Sequence, residues 1–294
     1  MGGLLLIDKP EGLTSADAVR AVKRQVRCKT GHLGTLDPFA SGILPLCVGE
    51  ATKIAQFLNA ADKEYVGLIR LGAETDTGDP TGTVIATAAV PRCGQAEVER
   101  VARQFVGETL QTPPMHSAIK HQGTPLYKLA RQGIAIERQP RPIRINALCL
   151  TDLGDGRVAF SVASSKGTYI RVLAQQIAIA LGTVGHLEAL RRTRFGSFPV
   201  EDAIALDALG REALSFISLR DSLRHLREIE IDAATAQRAR RGDEAVLQSI
   251  RPGDCRETVK LVDPNGALVS VIVMDRHNRW RFARVFADGG HVAP

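Results

Sequence analysis

The residues best suited to chemistry lie in one segment, GHLGTLDPFASGILPLCVGEATK, from Gly31 to Lys53. Glycines at 31, 34, 42 and 49 and prolines at 38 and 45 prescribe an unusual backbone path, and an ordinary connecting loop does not carry that entropy cost throughout. Asp37 sits in the middle, flanked by Leu36, Pro38 and Phe39. Neighbours of this kind desolvate a carboxyl and raise its pKa unless a cation or hydrogen bonds hold it ionised. Standing alone, the pattern also fits an aspartate that ties up the backbone N–H groups of a turn. His32, taken by itself, reads as a loop histidine bonded to backbone.

Other chemistries lack their motifs. GEATK has the wrong spacing for a phosphate-binding P-loop, and SKGTY, from Ser165 to Tyr169, also fails that pattern. The seven histidines and five cysteines have no paired zinc spacing, and TDTGD lacks the remaining ligands of a calcium loop. Chemistry at Asp37 is therefore expected to use no metal and no cofactor. A glycoside or nucleoside hydrolase would want two cooperating carboxylates; the nearest candidate, Glu50, reads as the acid of a helix's first turn.

The chain that must position these residues has 294 of them, enough for a large and a small domain, with 44% hydrophobic and 24% charged residues. These values exclude a disordered or low-complexity protein. Thirty-eight lysines and arginines against 32 acids give a net charge of +6, a tilt toward an anionic partner. The cysteines form an odd set without a CxxC pair, which points to a reducing, cytoplasmic compartment. The apolar run Leu4 to Ile7 is too short for a signal sequence, and no run approaches the ~18 residues of a membrane span.

Leu4 to Ile7 reads as a buried strand and Ser15 as the N-cap of a helix carrying Val19, Val22 and Val26 on one face and Arg20, Lys23, Arg24 and Arg27 on another. A helix is predicted over 51–58, and strands over 65–71, 83–88, 146–153 and 157–163. Further helices are predicted over 95–105 and 168–181, the latter capped by Thr168 and ended by Gly182. Short links between strands favour an α+β sheet over a βαβ wheel. Between Met115 and Arg144 stand six lysines and arginines and one acid, with five prolines between 113 and 142, which predicts an exposed basic excursion suited to a phosphate backbone. From about His225 a short helix and strands around a PNG turn predict a small β-rich domain.

The segment containing Asp37 resembles the signature of the TruB family of tRNA pseudouridine synthases. The likeness continues in LLLIDKPEGLTS, KEYVGLIRLGAETDTGDPTG, QTPPMHSAIKHQGTPLYKLARQG, SSKGTYIRVLAQQIA and HLEALRRTRFGSF, in the family's order. Leu33, Phe39 and Ser41 depart from the commoner residues, away from the expected catalytic group.

The resemblance implies a mixed, largely antiparallel central sheet of the pseudouridine synthase type with flanking helices over residues 1–224, with an RNA-clasping insertion at about 113–144. A PUA-like RNA-binding domain would follow over 225–294. It implies isomerisation of uridine 55 in the T-loop of tRNA to pseudouridine, with the base flipped out of its stack. Asp37 is then the catalytic aspartate and Arg171 its guanidinium partner, a cation that stays charged when buried. His32 fills the space the base leaves, Tyr65 stacks on the flipped uracil and helps remove its C5 proton, and Tyr169 and Leu190 line the pocket. Lys9, Lys120, Lys128, Arg131, Arg191, Arg192 and Arg194 are candidate contacts to the RNA backbone, Lys9 alternatively a structural ion pair. The partner implied is tRNA, through its T-arm and its acceptor end, bound by a monomer away from any membrane. The competing reading is a non-catalytic tRNA-binding protein or chaperone that uses the same groove.

Overall fold

A computed structural model describes residues 2–211, 213–251 and 253–286. Strand β1 (Gly3–Lys9) is apolar and buried, and helix α1 (Ser15–Val26) turns Ala18 and Val22 inward. The cap of α1 is Thr14, one residue before the predicted Ser15: the Thr14 hydroxyl accepts from Asp17 N at 3.1 Å while the Asp17 carboxylate accepts from Thr14 N at 2.9 Å. Ser15 is thereby free for another task. Its buried hydroxyl accepts from Leu36 N at 2.9 Å and donates to Leu36 O at 3.0 Å, fastening the helix to the segment that holds Asp37.

Strands β2 (Thr30–His32) and β3 (Ser41–Val48) bracket that segment. The helix predicted over 51–58 is instead a 3₁₀ turn, Gly49–Lys53, and a short α2 (Ala55–Leu58). Then come β4 (Lys63–Leu71), the hairpin of β5 (Ala73–Thr75) and β6 (Val84–Thr87), α3 (Gln95–Phe105) and β7 (Gly107–Gln111). The basic excursion folds into a small hairpin, β8 (Lys120–His121) with β9 (Thr124–Pro125), and α4 (Leu126–Ala130). It ends earlier than 144, because β10 (Arg141–Asp152) takes Arg141 and Arg144 into the central sheet.

Strand β11 (Arg157–Ser164) leads to α5 (Ile170–Ala180). Thr168 does not cap α5: Tyr169 holds that position, and the Thr168 hydroxyl donates to Ser165 O at 3.0 Å. After β12 (Gly185–Phe195), β13 (Phe198–Pro199), β14 (Ile204–Ala205) and α6 (Leu219–Ser222), the chain enters β15 (Arg227–Glu230) and α7 (Ala233–Arg240). Strands β16 (Thr258–Val262), β17 (Leu268–Met274) and β18 (Trp280–Val285) complete it.

Eight strands of the main sheet run in the order β14-β1-β3-β12-β4-β11-β10-β7, with β2 on β3 and β13 on β12. Among the described residues of this sheet only β1 with β14 and β3 with β12 pair in parallel, so the sheet is mixed and largely antiparallel, as expected. One apolar cluster joins α1, α3 and α5 to Leu36, Tyr65 and Leu190. A second packs Leu4, Leu6, Ile43 and Cys47 with Leu268, Val271 and Phe286, seating the β15-β16-β17-β18 sheet against the first unit. Residues 287–294, the end of the small domain read from the sequence, lie outside the described residues. Among the described residues no helix is long and apolar enough to cross a membrane.

Candidate active site

The site forms where the loop between β2 and β3 meets the first turn of α5. Three groups hold the loop in place. Ser15 grips Leu36 as above, Gly12 N donates to Pro38 O at 2.8 Å, and the Arg192 guanidinium donates to Gly34 O at 3.0 Å and Ile43 O at 2.8 Å. Arg192 thus spans both ends of the loop. The fit requires glycine at 42, where φ is +106° and a Cβ would come within 2.2 Å of Arg192 O.

At the loop's centre the Asp37 carboxylate accepts from Arg171 Nε at 2.9 Å. The other Arg171 nitrogens donate to Thr77 O and His116 O, each at 2.7 Å, so one guanidinium ties together the β2–β3 loop, the β5–β6 hairpin and the root of the basic excursion. Arg171 is 5% exposed, whereas the Asp37 side chain keeps 36% of its surface exposed. Burial pushes the Asp37 carboxyl above the usual carboxylate range; Arg171 opposes this, Asp79 adds to it, and Lys9 opposes it. A carboxylate so placed is partly desolvated, orientationally fixed and still exposed, the condition for a nucleophile or a base.

Asp79 is the residue that the sequence reading missed. It is buried, 3.8 Å from Arg171 Nη1, and its other oxygen accepts from Thr77 Oγ1 (2.8 Å), Thr81 Oγ1 (2.6 Å) and Thr81 N (3.0 Å). The signal was an acid in TDTGDPTG with a threonine two residues away on either side, a pattern able to neutralise a buried carboxylate locally. Gln111 is a second omission: its amide donates to Tyr169 O at 3.2 Å and accepts from Tyr169 N at 2.8 Å, setting the entry of α5 just ahead of Arg171.

The expected pocket residues stand on β2, β4, β12 and at the entry of α5. Tyr169 is half-buried; burial raises its phenol pKa, Arg141 and Arg171 oppose the rise, and Asp37 adds to it. Tyr65 on β4 and Leu190 on β12 are buried in the same apolar cluster as Leu36. Arg192 lies opposite Tyr65 across the β4–β12 ladder. His32 is half-buried on β2, its Nδ1 carries no hydrogen-bond partner, and burial, then the charge of Arg192, lowers its pKa.

Two of the expected backbone contacts are corrected. Lys9 is fully buried, with Nζ donating to Pro10 O (2.8 Å), Leu13 O (2.7 Å) and, at 3.5 Å, Pro38 O; burial lowers its pKa to about 8. It braces the turn beneath Asp37 and cannot reach RNA. Arg192 is 1% exposed and spends its donors on the loop carbonyls, so it too is withdrawn from phosphate contact. The burial of Arg192 is not legible in the basic run RRTR, where a strand's alternation hides every second cation. Arg191 pairs with Asp8 through two bonds of 3.0 and 2.7 Å, and Arg194 approaches Glu64 at 3.4 Å. Lys120, Lys128 and Arg131 are exposed on the excursion. Among the described residues no group of three or more His, Cys, Asp or Glu is arranged to hold a metal ion.

Residues 20–170 match the family model described as TruB family pseudouridylate synthase (N terminal domain), and residues 171–229 match tRNA pseudouridylate synthase B C-terminal domain. The chain is 44% identical over 248 residues to the tRNA pseudouridine synthase B of Hydrogenovibrio crunogenus, covering 84% of this chain and 82% of that one. It is 51% identical over 209 residues to the corresponding protein of Nitrosococcus oceani, covering 70% and 68%. Among solved structures, a chain of an H/ACA ribonucleoprotein bound to a substrate RNA containing 2'-deoxyuridine superposes with a TM-score of 0.70 at 25% identity, over 97% of this chain and 85% of that one.

Proposed function

Because the chain belongs to the TruB family of pseudouridylate synthases, we propose that it converts uridine 55 of the tRNA T-loop to pseudouridine by the cofactor-free chemistry of Asp37. The observation that carries this reading is the 2.9 Å contact between the partly exposed Asp37 carboxylate and the buried Arg171 guanidinium. Isomerisation breaks the N1 glycosidic bond and makes a bond from the sugar to C5, so the base must leave its stack and turn within a pocket. Unstacking costs a few kcal/mol. His32, neutral because burial disfavours its charged form, takes the vacated place; Tyr65 stacks on the uracil and helps remove the C5 proton; Tyr169 and Leu190 close the pocket.

Asp37 either attacks the nucleoside or takes a proton from the ribose, and both routes require the anion. Arg171 keeps the carboxylate ionised against burial and against Asp79. The exposed cations Lys120, Lys128 and Arg131 hold the T-arm, with Arg191 and Arg194 beside the pocket. Residues 1–224 then form the catalytic domain and 225–294 the PUA-like domain that reaches the acceptor end. The protein acts as a cytoplasmic monomer.

The experiment is release of tritium from unmodified tRNA labelled at uracil C5, since that carbon exchanges its hydrogen for the sugar. Release with no free uracil is expected. Binding without release favours a tRNA-binding module, and free uracil favours a nucleoside hydrolase.

A further inference from the structure

The outward face of α1 is unexplained by the site. Arg20, Lys23, Arg24 and Arg27 are exposed and stand at positions i, i+3, i+4 and i+7, with Lys29 following, while Ala18 and Val22 on the opposite face are buried. Like charges three and four apart weaken a helix. Several partly exposed arginines elsewhere meet carboxylates, as Arg157 meets Asp155, Arg220 Glu228, Arg227 Glu257 and Arg238 Asp243. On α1 only Arg20 does, with Asp17; Lys23, Arg24, Arg27 and Lys29 have no ion-pair partner among the described residues. The helix dipole favours Lys23 and Arg24 in the last turn, but its effect fades beyond a turn and leaves Lys29 unaccounted for. A helix that concentrates repulsion without internal compensation is matched to an external polyanion.

Its location names that polyanion. The N-terminal end of α1 is fastened to Leu36 by Ser15, and the preceding turn is fastened to Pro38 by Gly12, on either side of Asp37. At the other end Arg27, with φ at +52°, turns the chain out of the helix, and Lys29 O is fixed by Gly49 N at 2.7 Å. His32 follows Lys29 within ~10 Å of extended chain. From Arg20 to Arg27 the ridge runs ~10 Å along the helix axis, about three steps of a nucleic-acid strand at ~3.4 Å each.

We propose that this face of α1, continued by Lys29, is a phosphate-binding ridge for the RNA strand that adjoins the flipped nucleotide, separate from the clasp of the basic excursion. The assignment rests on the reading of the chain as a tRNA-modifying enzyme. The test is the salt dependence of tRNA-transcript binding by the full chain and by its Lys23→Ala, Arg24→Ala, Arg27→Ala and Lys29→Ala variants, singly and together. Alanine keeps the helix, and a melting curve equal to that of the unaltered protein verifies it.

Each single change should lower the slope of log K against log salt by about 0.7 to 0.9, and the fourfold variant by about three, with Kd raised at least about tenfold at 0.1 M salt. An unchanged slope in the fourfold variant, with the unaltered protein releasing tritium normally, overturns the ridge alone. Absence of tritium release from the unaltered protein overturns the functional reading instead.

Discussion

Replacing Arg171 with methionine removes three donors at once while keeping the apolar stem. Asp37 loses its contact at 2.9 Å, and the carbonyls of Thr77 and His116 lose theirs at 2.7 Å. Each unpaired buried carbonyl costs about 1–3 kcal/mol. Loss of the cation beside Asp37 costs less than the ~3–5 kcal/mol of a fully buried pair, because the Asp37 side chain retains 36% of its exposure and water screens it. The two carbonyls alone cost about 2–6 kcal/mol, a large part of the 5–15 kcal/mol that holds a typical domain together, so the melting temperature should drop markedly.

Catalysis should suffer more than folding. With Arg171 gone, burial and Asp79 are opposed only by Lys9, the Asp37 carboxyl rises further, and its orientation is lost. Single-turnover tritium release should fall by about 10²–10⁴ at neutral pH. All three Arg171 acceptors belong to the protein itself, so tRNA affinity should stay within about threefold. Arg171→Lys should recover some stability and little rate, since one ammonium cannot meet three acceptors arrayed around a planar fork. A methionine variant that turns over within about tenfold of the unaltered rate, 1.4 kcal/mol or less in barrier, refutes the assignment of Arg171.

Three further outcomes follow from the same geometry. Because burial holds the Asp37 pKa above its unfolded value, the acid limb of kcat/KM should lie above the ordinary carboxylate range; stability should move the other way, the cost of the buried anion disappearing as pH falls through that pKa, and a limb below pH 4 contradicts the electrostatics. Lys9, lowered from 10.5 to about 8 by burial, binds its proton more weakly folded than unfolded, so the unaltered protein should gain stability relative to Lys9→Met by up to about 3 kcal/mol as pH rises from 8 to 10.5, read by urea unfolding; a constant difference excludes the buried ammonium. Replacing Lys120, Lys128 and Arg131 together by alanine should lower the salt slope of tRNA binding by about two to three, and an unchanged slope places the excursion away from RNA.

Much of this architecture was legible before any coordinates. The alternation at Val158, Phe160 and Val162 marked β11, and the helix expected over 95–105 is α3. The glycine and proline pattern around Asp37 announced a constrained loop, and Arg171 was found through the likeness of SSKGTYIRV. What stayed hidden depends on distance in sequence. Ser15 and Thr14 are equally good caps by type, and only the reach to Leu36 decides between them. Arg192 looks like a surface cation because carbonyls far along the chain, at Gly34 and Ile43, are what satisfy it. Asp79 acquires meaning only when the β5–β6 hairpin folds against α5.

The central claim is that one anion, the Asp37 carboxylate, carries the reaction while the rest of the site binds and holds. The most direct measurement is single-turnover tritium release by Asp37→Asn alongside its affinity for the same tRNA. Asparagine keeps the shape and a hydrogen-bond acceptor for Arg171 but neither the charge nor the nucleophile. Full-strength binding with no detectable release is the predicted result; release at the unaltered rate contradicts the account.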